Sequence, residues 1–71
     1  MSMSSRDKDN LISALKATKE MGDTSEAKKL VSQIKSQYIA KYGADDDALS
    51  DLRYYINEYT RYSYDVTIQS A

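Results

Sequence analysis

Met21-Gly22-Asp23-Thr24-Ser25-Glu26-Ala27 is the stretch on which the fold turns. Glycine reaches the left-handed backbone region without steric cost, so Gly22 predicts the C-terminal stop of a helix. Asp23 follows at once as the predicted N-cap of the next helix, and Glu26, three positions later, completes a variant of the capping box. A stop and a start separated by about two residues leave the chain little freedom, which predicts an αα-hairpin.

Upstream, Leu11, Ile12, Leu15, Thr18 and Met21 recur at helical spacing, with Ser4 or Ser5 as cap and Asp7 in the first turn, so the first helix is expected over about 6–21. Downstream, Ala27, Leu30, Val31, Ile34, Tyr38 and Tyr42 form one stripe, predicting a second helix over about 24–42 with Lys28, Lys29, Lys35 and Lys41 mostly off that stripe. Gly43 is the other glycine of the chain and is expected to stop this helix in the same left-handed way. Asp45-Asp46-Asp47 then lie where the free N–H groups of a helix N-terminus favour negative charge. Leu49, Leu52, Ile56 and Tyr59 continue at 3-4-3 spacing and predict a third helix over about 46–62. The expected fold is all-α: a three-helix bundle, or an αα-hairpin plus third helix, in one domain over 1–62, with an extended tail over 63–71. Leu15, Leu30, Val31, Ile34, Leu49, Leu52 and Ile56 are the residues expected to face inward.

The periodicity changes at the end of the chain. Tyr62, Tyr64, Val66 and Ile68 alternate with Ser63, Asp65, Thr67 and Gln69, a period of two in β-branched and aromatic residues. The chain offers no second strand to pair with it, and unpaired backbone groups need partners. Two readings stand: the tail orders against another chain, as an added strand or with its apolar side in a groove, or it is a frayed extension of the third helix.

Composition narrows the chemistry. With no Cys and no His, the chain has no disulfide, no thiolate or imidazole metal ligand, and no Ser-His-Asp or Cys-His arrangement. Asp45-Asp46-Asp47 lacks the alternating ligands, glycine and closing glutamate of an EF-hand loop, and helix capping accounts for it. No catalytic residue, cofactor or metal site is expected. A helix-turn-helix would also use a short glycine turn, but the second helix carries no Arg or Asn for base reading and the pI is about 5.2, so nucleic-acid binding ranks third among the functional readings.

Leu, Ile and Val together make only 12 of 71 residues and Phe is absent, an under-built core for a chain that by size alone buries about 60% of its unfolded surface. Net charge of only -1 argues against wholesale disorder. Residues 1–43 carry +3 and residues 44–71 carry -4, an asymmetry suited to docking or to head-to-tail assembly. Association with a partner is therefore the expected source of missing stability. Tyrosine supplies the surface for it. Tyr54, Tyr55, Tyr59, Tyr62 and Tyr64 fall close together, combining large apolar area with a polar tip, and with Val66 and Ile68 they are the candidate partner-binding residues.

The segment Leu11-Ile12-Ser13-Ala14-Leu15-Lys16-Ala17, then Gly22-Asp23-Thr24-Ser25-Glu26-Ala27-Lys28-Lys29-Leu30 and Ile34, resembles a helix-Gly-Asp-helix segment of tailed-bacteriophage virion proteins. It also looks like half of a tetratricopeptide-type repeat. The resemblance spans residues 11–37, carries no functional residue across, and implies a small virion or virion-associated protein that packs against other chains. The leading expectation is a structural or adaptor protein working through a protein partner or homo-oligomer. The alternative is a small inhibitor that binds a host enzyme. No apolar run is long enough to cross a bilayer and none follows the N-terminus as in a signal peptide, so the expected location is the cytoplasm, or the virion if the chain is phage-encoded.

Overall fold

The computed structural model describes residues 3–60. Three helices, α1 (Ser5–Glu20), α2 (Ser25–Tyr42) and α3 (Asp46–Tyr59), each pack against the other two. No strand occurs among the described residues, so the fold is an all-α three-helix bundle. The predicted strand-like segment, with Tyr62, Tyr64, Val66 and Ile68, lies outside the described residues.

Each helix starts on an oxygen side chain that takes up a free N–H of its first turn. Ser4 accepts from Asp7 N–H at 3.2 Å, Thr24 from Ala27 N–H at 3.1 Å and Asp45 from Ala48 N–H at 3.1 Å. The cap of α2 is thus Thr24 and not Asp23, which corrects the expected capping box by one residue. Thr24 has the extended backbone of an N-cap, with φ -123° and ψ 159°, and its hydroxyl is short enough to reach back over the turn.

The stops differ from each other. Gly22 has φ +74° and donates to Lys19 O at 3.1 Å, the left-handed stop expected of it. Gly43 does not repeat this: it stays right-handed, with φ -53° and ψ -24°. What demands glycine there is space, because a Cβ would sit 2.8 Å from the Ile39 carbonyl oxygen. The third helix ends at Tyr59, three residues short of expectation. Thr60 leaves it in an extended conformation, φ -130° and ψ 175°, while its N–H and its hydroxyl both donate to Ile56 O. The hydroxyl bond gives the Ile56 carbonyl a second donor at the helix end.

Met3, Leu11, Leu15, Val31, Ala48, Leu49, Leu52 and Ile56 form the buried core, with Ile34, Tyr38, Ile39, Tyr42, Tyr55 and Tyr59 packed half-buried against it. Leu30, expected inside, is 40% exposed. At 100° per residue it stands about 70° away from the Ala27-Val31-Ile34-Tyr38 direction that meets the other helices. Met21, expected on the stripe of α1, caps that helix and is likewise exposed. Met3 and Ala48 were not anticipated: one precedes the first cap and the other is too small to stand out in a periodic pattern.

Side-chain pairs give the direction of the helices. Lys8 meets Asp51 and, two turns on, Lys16 meets Tyr59, so α1 and α3 run parallel. Tyr38 and Tyr42, at the end of α2, meet Asp7 at the start of α1, so α2 runs opposite. The end of α3 therefore lies at the same end of the bundle as the α1–α2 turn and the first turn of α2.

Candidate functional site

The outer side of α3 carries a row of three aromatic rings. Tyr55 and Tyr59 are one turn apart and stack, with ring centroids 6.1 Å apart and planes 24° from parallel. Tyr54 stands edge-on to Tyr55, at 5.4 Å and 73°. Both geometries suit the negative face and positive edge of an aromatic ring, and such pairs contribute about 0.5–1.5 kcal/mol beyond burial. Lys16 of α1 places its ammonium 5.4 Å from the Tyr59 ring centre, closing the row with a cation–π contact.

The rings divide their work. Tyr55 and Tyr59 lean on the core and make up part of its aliphatic deficit. Tyr54 points away from it and is 60% exposed, the most exposed of the large apolar side chains among the described residues. The arrangement is an aromatic edge with two rings against the core and the third exposed at its end. Of the predicted partner-binding residues, the structure brings Tyr54, Tyr55 and Tyr59 together; Tyr62, Tyr64, Val66 and Ile68 lie outside the described residues. Beside the row, Lys8 Nζ lies 3.8 Å from Asp51 Oδ2, a buried oxygen with no hydrogen bond.

A second cluster, which the sequence reading missed, ties the first turn of α1 to the last turns of α2. The Asp7 carboxylate accepts from the Tyr42 hydroxyl and pairs with Lys41 Nζ at 2.8 Å, and the Tyr38 hydroxyl donates to the Asp7 backbone carbonyl at 3.3 Å. The Lys41 ammonium, then the Tyr42 hydroxyl, hold the Asp7 carboxyl below its ordinary value against the opposing effect of desolvation. In return Asp7 holds Lys41 above its ordinary value, and burial raises Tyr38. The only prior sign was the spacing of Tyr38 and Tyr42 on one face with Lys41 beside them. The cluster joins the start of α1 to the end of α2. At the start of α3, the Ala48 N–H holds the Asp45 carboxyl low, as an N-cap bond does.

Along the outer side of α2 runs a shallow depression lined by Lys29, Ser32, Gln33, Ser36 and Gln37. Among the described residues there is no group of three or more acidic side chains placed to hold a metal ion, and no helix is long and apolar enough to cross a membrane. Comparison of the chain with protein-family models, with curated proteins and with solved structures finds no match.

Proposed function

We propose that this chain is a small non-catalytic structural or adaptor protein that works by packing the aromatic edge of α3 against another protein chain, either a second copy or a different protein. The observation that carries the reading is Tyr54, 60% exposed at the open end of a row whose other two rings are anchored in the bundle. Exposing a large ring costs hydration free energy in an isolated molecule, whereas a pre-ordered ring loses little entropy on binding and suits the centre of an interface. The lack of His and Cys in the sequence supports a role without catalysis. A place in a virion, as the hairpin resemblance implies, is one setting in which such packing would serve.

The test is photo-crosslinking in the native extract. A benzoyl-phenylalanine at position 54 should join the chain to one defined protein, whereas the same group at Ser13, exposed on the opposite side of α1 from the core, should not. No product, or the same products from both positions, would contradict the reading.

A further inference from the structure

The outer sides of α2 and α3 are opposite in charge. α2 carries Lys28, Lys29, Lys35 and Lys41 against one acid, Glu26, whereas α3 carries Asp46, Asp47, Asp51 and Glu58 against one base, Arg53. Lys41 and Asp51 pair with α1. Without them, three lysines against one acid leave +2 on α2, and three acids against one arginine leave -2 on α3.

They are also opposite in shape. At 100° per residue, Lys29, Gln33 and Ser36 of α2, and Tyr54 and Glu58 of α3, lie within about 50° of the direction facing away from the core. On α2 this side is a shallow depression, lined in part by Lys29, Gln33, Ser36 and Gln37. On α3 it bears the projecting ring of Tyr54. The glutamine amides both donate and accept hydrogen bonds, which suits a ring with a hydroxyl at its tip. The spacings agree as well. Lys29 and Gln33 are four residues apart, as are Glu58 and Tyr54, so each pair spans about 6 Å of helix. With the two helices antiparallel, Glu58 opposite Lys29 sets Tyr54 opposite Gln33.

We infer that the partner of the α3 edge is a second copy of this chain, with Tyr54 of one molecule seated in the α2 depression of the next and Glu58 beside Lys29. This rests on the role proposed for the α3 edge and names its partner. Charge selects the arrangement: α2 against α2, or α3 against α3, sets like charges together across a two-fold axis, whereas α3 against α2 sets opposite charges together. The fold supplies the level. The end of α3, with Glu58, lies at the same end of the bundle as the start of α2, with Lys29, so two molecules side by side bring these residues to one height. Since α2 and α3 run opposite ways within a molecule, antiparallel contact between molecules leaves all copies pointing the same way. Each copy then keeps one face for a further neighbour, and the contact repeats as a row or closes into a ring.

Sedimentation of the purified chain tests it. The wild type should self-associate, and less so as salt is raised. Lys29→Glu, which blocks the α2 face, and Tyr54→Ser, which blocks the α3 face, should each weaken self-association about tenfold or more, with both variants folded by circular dichroism. Mixed together, they should recover wild-type affinity yet stop at two chains, because each variant retains the face that the other lacks. Glu58→Lys should also weaken self-association, and adding Lys29→Glu in the same chain should restore it, a readout that leaves Tyr54 in place. A monomeric wild type, a mixture no more associated than its components, or a double variant no better than Glu58→Lys alone would overturn the inference. Crosslinking from position 54 to a different protein, with the purified chain monomeric, would overturn the second-copy partner and leave the α3 edge standing. No crosslink from position 54 to any chain would overturn both.

Discussion

Tyr42 donates its hydroxyl hydrogen to the carboxylate of Asp7, 35 residues earlier, and so fastens the last turn of α2 to the first turn of α1. Lys41 pairs with the same carboxylate. Since the folded-state value of Asp7 is depressed, its contribution to stability is fully present above 3.8 and is lost as the pH falls from there through the folded value. For Lys41, whose value is raised, the contribution is present below 10.5 and is lost as the pH rises through its folded value. Asp7→Asn should therefore melt below the wild type at neutral pH, and the gap should close in acid below 3.8. Thermal melts across that range check it; a gap that does not change with pH would show that the charge of Asp7 contributes nothing.

The two glycines should fail differently. At Gly22 a side chain meets open space but an unfavourable φ of +74°, so Gly22→Val should cost about 1 kcal/mol or more and Gly22→Asn distinctly less, because asparagine tolerates the left-handed region. At Gly43 the backbone is ordinary and the obstacle is the Ile39 carbonyl, so Gly43→Ala and Gly43→Asn should both cost, about 1–3 kcal/mol through overpacking. Denaturant titration of the four variants separates the mechanisms. Equal costs of Val and Asn at position 22 would refute the backbone account there.

Leu52 has no exposed surface and lies in the core shared by all three helices. Leu52→Ala should cost about 2–5 kcal/mol. A chain of this length has roughly 4–10 kcal/mol in total at 0.05–0.15 kcal/mol per residue, so the variant should be largely unfolded or melt far below the wild type by circular dichroism. Leu30→Ala, at a side chain already 40% exposed, should cost well under half as much.

Helix number, the hairpin stop at Gly22 and most of the core were legible from spacing, because a helix must bury its apolar positions three and four apart and must stop where glycine permits the turn. What escaped were features set by three-dimensional neighbours. Leu30 fits the helical period, yet the direction of packing left it outside. Gly43 looks like a second Gly22, but its requirement comes from the Ile39 carbonyl and not from φ. Nothing local links Asp7 with Tyr42 or places Met3 in the core. On α3, sequence marked the tyrosines as unusual, and only their ring geometry shows which two anchor the row and which one is free.

That free ring carries the central claim, and the native mass of the protein with and without it is the most direct test. Tyr54 lies outside the core but stands edge-on to Tyr55, so Tyr54→Ser should cost about 0.5–1.5 kcal/mol, or about 2–12 °C in melting temperature, and leave the bundle folded. In native extracts the wild type should then run in an assembly well above the 8.1 kDa of one chain, and Tyr54→Ser should run as the free chain. A wild type that is already a free monomer, or a variant that stays in the assembly, would contradict the account.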